Sequence, residues 1–154
     1  MIVTKKEISG VSEALKSTGK KVVFTNGCFD IIHAGHVDYL KKARELGDVL
    51  IVGLNTDDSV RRIKGAGRPV NNENDRAVVL DSLRFVDYVI FFDEDTPYKL
   101  IKKIQPGILV KGGDYSIETI IGADIVLGIG GKVITIPLSE GKSTSGLIEK
   151  IKQL

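Results

Sequence analysis

Residues 22–46 have the sequence VVFTNGCFDIIHAGHVDYLKKAREL, which begins like a strand and ends like a helix. The first four residues are apolar or β-branched without interruption, as in a strand that is buried on both faces of a parallel sheet. After a glycine-containing loop, apolar residues recur within 36–46 at helical spacing, which predicts an amphipathic helix. Gly47 follows as a helix stop. This strand–loop–helix unit indicates an α/β fold.

The same alternation continues along the rest of the chain. Further short apolar runs predict strands over Val49–Val52, Tyr88–Phe92, Ile108–Val110 and Val133–Ile136. Between them, 73–84 has helical spacing, and Thr96 followed by Pro97 predicts another helix with threonine as its N-cap. Strands that alternate with helices through short links predict a doubly wound, mainly parallel five-stranded α/β sheet.

The composition predicts one intracellular globular domain over residues 1–154. The chain is 42% hydrophobic and 27% charged, and its 22 basic residues nearly balance 20 acidic ones, which argues against a non-specific nucleic-acid binder. No apolar run approaches the about 18 residues of a membrane span, and the N-terminus lacks a signal-peptide stretch. The single cysteine, Cys28, excludes an internal disulfide and a cysteine-based zinc site. We therefore expect a cytoplasmic protein without nucleic-acid or membrane partners.

The loop after the first predicted strand carries both histidines of the chain, His33 and His36. Ligands of doubly wound sheets bind beyond the carboxyl ends of the strands, which is where this loop lies. A helix N-terminus attracts phosphate, Gly35 lets a ligand approach the backbone, and imidazoles donate hydrogen bonds to phosphoryl oxygens. The alternative is that both histidines only cap the helix. A metal pair lacks support from a third histidine or a cysteine.

A second helix start with hydroxyl side chains lies near the C-terminus, at Ser143-Thr144-Ser145. Hydroxyls and free N–H groups at such a start hold anionic oxygens, although simple N-capping by Ser143 or Thr144 explains the same residues. Gly141-Lys142-Ser143 imitates the end of a phosphate-binding P-loop. A P-loop is excluded because Ile136 stands where glycine is needed and too few residues follow for a nucleotide-binding core.

Other polar residues follow the remaining predicted strands. Lys111-Gly112-Gly113-Asp114-Tyr115 has glycines that suit close approach of a base or ribose, but it also fits a glycine turn with a surface lysine. Asn55-Thr56-Asp57 fits either an acceptor pocket or a strand-to-helix cap. Lys64 and Arg68 belong to the basic, glycine-rich loop 64–72, which we expect to fold over a triphosphate.

Gly27-x-Phe29-Asp30 followed by His33-x-Gly35-His36 resembles the signature of the cytidylyltransferase-like nucleotidyltransferases, and the resemblance covers about residues 20–152. It implies a Rossmann-like nucleotidyltransferase fold in which His33 and His36 are catalytic and bind the nucleoside triphosphate around its α-phosphate. It implies nucleotide binding by Gly27, Cys28, Phe29, Asp30, Gly35, Arg76, Lys111, Gly112, Asp114, Ser143, Thr144 and Ser145. It also implies phosphate or acceptor contacts by Asn26, Asp57, Lys64, Arg68 and Arg84.

The resemblance changes the interpretation of three residues. Taken alone, Arg76 and Arg84 are surface-helix arginines, whereas the family pattern implies that both face phosphates. Direct attack of an acceptor on the α-phosphorus needs no enzyme nucleophile. Cys28 is therefore interpreted as a small packing residue.

Four stretches resemble one branch of this family, the adenylyltransferase domain that makes ADP-heptose from heptose 1-phosphate. These stretches are 25–30, 67–71, 93–97 and 110–115. Glycerol-3-phosphate cytidylyltransferases have Arg-Thr-Glu-Gly where this chain has Leu138-Ser139-Glu140-Gly141. The resemblance implies ATP and a sugar 1-phosphate as substrates, Mg²⁺ bound mainly through their phosphates, and a homodimer. The alternatives are a CTP-dependent cytidylyltransferase acting on glycerol 3-phosphate or another phospho-alcohol, and a non-catalytic nucleotide-binding module.

Overall fold

A computed structural model describes residues 1–138 and 141–154, which contain one sheet of six strands. The strands are β1 (Ile2–Val3), β2 (Val22–Gly27), β3 (Val49–Asn55), β4 (Tyr88–Phe92), β5 (Ile108–Gly112) and β6 (Lys132–Ile136). Their order is β1-β4-β3-β2-β5-β6, and each neighbouring pair is parallel. The doubly wound α/β prediction is confirmed. The predicted five strands become six, because β1 is too short to show a pattern in the sequence.

Seven α-helices connect or flank the strands in the described part of the chain. They are α1 (Glu7–Ser17), α2 (Ala34–Glu45), α3 (Asp57–Lys64), α4 (Glu73–Asp81), α5 (Tyr98–Ile104), α6 (Ala123–Gly128) and α7 (Thr144–Lys152). None of them is both long and apolar enough to cross a membrane. α5 begins one residue later than predicted: the carbonyl of Pro97 accepts the first helical hydrogen bond, from the Ile101 amide, so Pro97 and not Thr96 is the N-cap.

Helices cover both faces of the sheet, which explains the apolar character of the strands. Every residue of β3 is buried. In β2, Val22 and Phe24 pack in one cluster with α1, α5 and α6, whereas Val23 packs in a second cluster with α2 and α4. Burial of a large apolar side chain contributes about 1.5–3 kcal/mol, so the two clusters together hold the helices on the sheet.

The strand order reverses beside β2, in the middle of the sheet. From β2 the chain moves outward to β3 and β4, then returns to the other side of β2 with β5 and continues to β6. In sheets of this kind the crevice for a ligand opens at the carboxyl ends of the strands next to the reversal. The fold therefore places Gly27, at the end of β2, and Gly112, at the end of β5, beside that crevice.

Gly47 follows α2 as predicted, but close approach and not a left-handed backbone requires glycine there. A Cβ atom at this position would lie 2.6 Å from the carbonyl oxygen of Lys21 and 2.7 Å from Cγ2 of Val23. The Asp48 amide donates to the same Lys21 carbonyl at 2.9 Å. Glycine thus lets the connection from α2 to β3 pass directly against the start of β2.

Candidate active site

A cavity with two lobes opens at the carboxyl ends of β2 and β5. Lobe one has a volume of about 560 Å³ and extends along Ile63, 95–97 and 119–121. Lobe two has a volume of about 400 Å³ and extends along His33 and Tyr39. The residues that line both lobes form the junction: Asn26, Gly27, Cys28, Phe29, His36, Lys64, Lys111 and Thr144. The cavity therefore has room for two ligands that meet at one place.

Most of the site residues predicted from the sequence line this cavity. Besides the junction, lobe one has Asp30, Arg68 and Ser145. Lobe two has His33, Gly35, Gly112 and Ser143. Four predicted residues are not brought to the wall of either lobe: Asp57, Arg76, Arg84 and Asp114. Ser139 and Glu140 lie outside the described residues. They belong to the stretch in which the sequence differs from the glycerol-3-phosphate cytidylyltransferases.

Both histidines cap α2, as the alternative interpretation of the sequence proposes. Nδ1 of His33 accepts a hydrogen bond from the Gly35 amide (3.1 Å), and Nδ1 of His36 accepts one from the His33 amide (3.4 Å). The two rings stack with their centroids 4.0 Å apart, and the Phe29 ring packs edge-on against His36. Capping does not prevent ligand binding. A neutral imidazole whose Nδ1 accepts carries its proton on Nε2, which remains a donor.

Burial determines the protonation state of these imidazoles. Together with the neighbouring His33, burial lowers the pKa of His36 to about 4. The pKa of His33 is lowered by burial and by the positive charge of Lys142. Both rings are therefore neutral near pH 7, and they offer a ligand an N–H donor without a full positive charge.

The N-terminal ends of α2 and α7 lie side by side at the cavity. A Cβ atom at Gly35 would lie 3.2 Å from Cβ of Lys142, so glycine permits this approach. The Thr144 hydroxyl donates to the carbonyl oxygen of Asp30 (3.0 Å), which ties the start of α7 to the loop after β2. Ser143 caps α7 through its hydroxyl. Two adjacent helix starts, each the positive end of a helix dipole, make this region favourable for anionic oxygens.

The Asp30 carboxylate holds the loop that precedes α4. It accepts hydrogen bonds from Nε of Arg68 (2.8 Å) and from the amides of Val70 (2.8 Å) and Asn71 (3.0 Å). Burial raises the pKa of Asp30, but these hydrogen bonds outweigh burial and keep the pKa below its ordinary value. This carboxylate therefore positions the loop before α4, and Asp30 also lines lobe one.

Arg76 is a buried arginine, which corrects its interpretation as a surface residue, and it lines neither lobe. It is 2% exposed. Its guanidinium donates to the carbonyl oxygens of Asn71 (3.0 Å) and Cys28 (2.6 Å). Nη2 donates to the carbonyl oxygen of Asn55 (2.9 Å) and to the carboxylate of Asp57 (2.8 Å). These bonds join the ends of β2 and β3 to the loop before α4, and they also explain why Asp57 does not face the cavity.

Arg84 and Asp114, for which the resemblance implies ligand contacts, are exposed and line neither lobe. Arg84 lies between α4 and β4, so it sits near the amino end of a strand, whereas the cavity is at the carboxyl ends. After β5 the backbone turns at Gly113, which has a φ of 117°. Beyond this turn Tyr115, and not Asp114, lines lobe one.

Lys64 and Lys111 place positive charge at the junction. Lys64 is the last residue of α3, and Lys111 belongs to β5. Nζ of Lys111 lies 5.7 Å from the centroid of the Tyr115 ring. Burial lowers the pKa of Lys111, and the nearby charge of Lys64 acts in the same direction. Both lysines line the cavity and form no ion pair with a carboxylate of the described residues, so their ammonium groups are available to an anion there.

The loop that carries Cys28 is strained and its thiol is protonated. Phe29 and Ile31 have positive φ angles of 44° and 53°, a conformation that is costly for residues with a Cβ and that concentrates at functional sites. Burial raises the pKa of the Cys28 thiol. Its Sγ lies 4.0 Å from Oδ1 of Asn55. These surroundings agree with the interpretation of Cys28 as a packing residue.

Sequence reasoning did not predict the far wall of lobe one. Asp95 and Thr96 line it, although the sequence indicated only a helix start at 96–97 and a branch resemblance over 93–97, without a site role for either residue. The segment 119–121 also lines it and gave no signal as a site. The first segment follows the carboxyl end of β4 and the second follows that of β5. The rule that ligands bind beyond the carboxyl ends of the strands therefore applies to them as well.

The carboxylates near the cavity do not form a magnesium site. Asp30, Asp57 and Asp95 each pair with an arginine. Within the described ranges, no group of three or more histidine, cysteine or acidic side chains is arranged to hold a metal ion. Mg²⁺ requires several oxygen ligands, and these oxygens are already engaged. A protein-built magnesium site does not fit these residues.

The sequence matches the cytidylyltransferase-like family over residues 24–137, from within β2 to just beyond β6. The chain belongs to this family. Membership confirms the resemblance that was based on His33-x-Gly35-His36, and it identifies the chain as a nucleotidyltransferase.

Two bacterial relatives, both named bifunctional protein HldE, align with most of the chain. The protein from Campylobacter concisus is 59% identical over 148 residues, which are 96% of this chain and 30% of the relative. The protein from Citrifermentans bemidjiense is 61% identical over 135 residues, which are 88% of this chain and 28% of the relative. The chain therefore spans about three tenths of the length of these relatives.

Solved structures show the same fold. The lipopolysaccharide core biosynthesis protein from Thermoplasma volcanium superposes with a TM-score of 0.63 and 31% identity, over 80% of this chain and 100% of that one. Pantoate-beta-alanine ligase from Francisella tularensis superposes with a TM-score of 0.67 over 100% of this chain and 73% of that one. The second protein is 20% identical, so it supports the fold alone.

Proposed function

We propose that this chain transfers AMP from ATP to D-glycero-D-manno-heptose 1-phosphate, forming ADP-heptose and pyrophosphate. The observation that carries the proposal is the junction of the two lobes, which His36, Lys64 and Lys111 line together. Transfer between a nucleotide and a phosphorylated acceptor requires two neighbouring compartments with hydrogen-bond donors and positive charge between them. The resemblance of 25–30 and 110–115 to the ADP-heptose-forming branch supports this choice of substrates.

In this proposal the nucleotide occupies lobe two and the sugar phosphate occupies lobe one. The triphosphate lies along the N-terminal ends of α2 and α7, whose free amides suit anionic oxygens. The far wall of lobe one has Asp95, Thr96 and Thr119, side chains that form hydrogen bonds with hydroxyl groups. The α-phosphorus and the attacking oxygen then meet at the junction.

The reaction is a direct displacement. An oxygen of the sugar phosphate forms a bond to the α-phosphorus, the bond to the bridging oxygen of the β-phosphate breaks, and pyrophosphate leaves with the electron pair. Nε2–H of His36 donates a hydrogen bond to an oxygen of the α-phosphate as charge builds up there. The protonated Cys28 thiol takes no part. Catalysis comes from positioning and from electrostatic stabilisation.

The test is pyrophosphate release with Mg²⁺ in the buffer. ATP or CTP is crossed with both anomers of heptose 1-phosphate and with glycerol 3-phosphate, and His36→Ala serves as the inactive control. We expect pyrophosphate release only where ATP is combined with a heptose 1-phosphate. Release with CTP and glycerol 3-phosphate would contradict the choice of substrates. Nucleotide binding in calorimetry without release in any combination would indicate a non-catalytic module.

A further inference from the structure

The segment between β4 and α5 carries three consecutive acidic residues, and only the third of them lines the cavity. Asp93 accepts a hydrogen bond from the Thr56 hydroxyl (2.5 Å). The carboxylate of Glu94 accepts hydrogen bonds from Nζ of Lys5 (2.9 and 3.0 Å). Asp95 belongs to the far wall of lobe one. The first two residues therefore fix the segment to its surroundings, and the third lies where a ligand binds.

Arg62 on α3 binds one oxygen of the Asp95 carboxylate. Nε of Arg62 donates to Oδ1 of Asp95 (2.9 Å), and Nη2 donates to the carbonyl oxygen of Asp93. Within residues 1–138 and 141–154, neither Oδ2 of Asp95 nor the hydroxyl of Thr96 has a hydrogen-bond partner. Both side chains line lobe one. A ligand there meets an acceptor oxygen and a hydroxyl group on adjacent residues.

The ion pair between Arg62 and Asp95 contributes more to orientation than to stability. The two side chains are 45% and 73% exposed. Exposed ion pairs stabilise a fold little, because water screens the charges and two long side chains lose conformational freedom. The pair does restrict the carboxylate before a ligand arrives, and a group that is already oriented loses less entropy on binding. This geometry fits a positioning role for Arg62.

The chemistry of Asp95 suits hydroxyl groups and disfavours phosphate. An ionised carboxylate only accepts hydrogen bonds, and bonds to it are about twice as strong as those between neutral groups. It also repels a phosphate, so an acceptor in lobe one binds with its hydroxyl groups, and not its phosphate, at Asp95. A sugar phosphate has hydroxyl groups on neighbouring carbons, which can bond to both Asp95 and Thr96. An acceptor with fewer hydroxyl groups loses such bonds.

We propose that Asp95 selects the acceptor by its hydroxyl groups, and that Arg62 is a positioning residue that holds this carboxylate for them. The inference rests on the proposed function and names the residue pair that distinguishes a sugar 1-phosphate from an acceptor with fewer hydroxyl groups. Arg62 lines neither lobe, so it acts through Asp95. No covalent bond forms or breaks in this recognition, and it therefore affects acceptor affinity and KM more than kcat.

The experiment compares two acceptor probes by calorimetry, with the full chain saturated with α,β-methylene-ATP. Mannose 1-phosphate has the manno ring configuration of the proposed acceptor, whereas inorganic phosphate has no sugar hydroxyl group. The variants are Asp95→Ala, Arg62→Met and Arg62→Lys. Arg61→Met is the matched control, because Arg61 is the neighbouring arginine on α3, pairs with Asp58 and lines neither lobe. Affinity for the nucleotide analogue reports whether each variant is folded.

We expect Asp95→Ala to weaken mannose 1-phosphate binding at least about tenfold, as loss of a charge-assisted hydrogen bond does, and to leave inorganic phosphate within about twofold. Arg62→Met should weaken mannose 1-phosphate binding about fivefold, because the carboxylate is no longer held in place. Arg62→Lys, which keeps a cation beside Asp95, and Arg61→Met should both stay within about twofold of the unmodified enzyme. A merely structural role would weaken both probes equally.

Equal losses for both probes in Asp95→Ala would overturn the proposal, as would mannose 1-phosphate binding that is unchanged in this variant or absent in the unmodified enzyme. Equal effects of Arg61→Met and Arg62→Met, or no effect of Arg62→Met, would overturn the positioning role. If Asp95→Ala does not fold, Asp95→Asn decides by the same criteria. Failure of the proposed function is a separate result, because heptose 1-phosphate would then give no pyrophosphate with ATP while mannose 1-phosphate still bound through Asp95.

Discussion

Arg76 and the junction lie at the same end of the sheet but treat positive charge in opposite ways. The guanidinium of Arg76 is buried and makes four hydrogen bonds to protein oxygens. Lys64 and Lys111 make no ion pair with the described carboxylates and line open space. A polar side chain whose hydrogen bonds all go to protein atoms supports the wall of the cavity. A polar side chain without such partners can bind the ligand. Arg76 and Lys111 therefore differ in role, although the family resemblance implies nucleotide binding for both.

The largest effect is expected for Arg76→Met, which tests the buried guanidinium. It leaves the Asp57 carboxylate and three carbonyl oxygens without their partner, and breaking a buried ion pair costs about 3–5 kcal/mol. Urea unfolding measures the change in the free energy of unfolding. Arg84→Met is the control, since Arg84 is exposed, and it should stay within about 0.5 kcal/mol of the unmodified protein. A loss under about 1 kcal/mol in Arg76→Met would mean that this residue does not hold the strands together.

His36→Ala tests a residue that faces the cavity. Removing one hydrogen-bond donor to the charge that develops in the transition state lowers kcat about 10²–10³-fold. Stability should fall by about 1 kcal/mol or less, because the lost cap is a single long hydrogen bond of 3.4 Å. Pyrophosphate release at saturating substrates and urea unfolding give the two numbers. Turnover within about threefold of the unmodified enzyme would show that His36 is a cap alone.

The start of α7 lies between the two extremes, because its hydroxyls both cap the helix and line the cavity. Ser143→Ala combined with Thr144→Ala should raise the apparent KM for the nucleotide several-fold, about the effect of one lost hydrogen bond of 0.5–1.5 kcal/mol. Initial rates at varied nucleotide and fixed acceptor measure it. Ser145→Ala is the control on the same turn. If it raises KM as much as the double variant does, the cause is a general weakening of the helix start and not the loss of the Ser143 and Thr144 hydroxyls. If KM and kcat are both unchanged, these hydroxyls serve only as caps.

The smallest effect concerns pH and stability. The pKa of His36 is about 4 in the folded protein, below its ordinary value of 6.5, so protons bind the unfolded chain more readily. The contribution of His36 is therefore complete above pH 6.5 and is lost as pH falls from 6.5 towards 4. His36→Gln should lose less stability than the unmodified protein over this window in urea unfolding at pH 7, 5.5 and 4.5. Parallel losses in both proteins would show that His36 does not titrate with a lowered pKa.

The sequence predicts most of the fold because its strands are buried on both faces. Five strands stand out as apolar runs, and the helix after β2 shows a clear apolar stripe. β1 has only two residues and shows no pattern, and it is held by pairing with Val89 and Ile90 of β4. α1 and α6 were not predicted, because no apolar stripe or cap was recognised over their residues. For α3 the sequence indicated only a possible strand-to-helix cap at 55–57, and Thr56 is the cap of this helix.

The site was predictable where one loop carries the chemistry and not where distant segments meet. The residues of 26–36 are contiguous, so a motif identifies them. The burial of Arg76 depends on acceptors 48 and 21 residues away, at Cys28 and Asn55, which no local pattern reveals. The wall formed by Asp95 and 119–121 likewise depends on how separate loops pack together.

The outer strand β6 has a consequence for association between chains. It pairs with β5 alone among the described strands, so one of its edges has backbone groups open to pairing with another molecule. Such edges are where aggregation of β-proteins begins, and a lysine on the edge is a common protection. Lys132 is exposed at the start of β6 and is followed by Val133-Ile134-Thr135-Ile136, a segment rich in β-branched residues. The charge of Lys132 opposes growth of the sheet beyond the molecule.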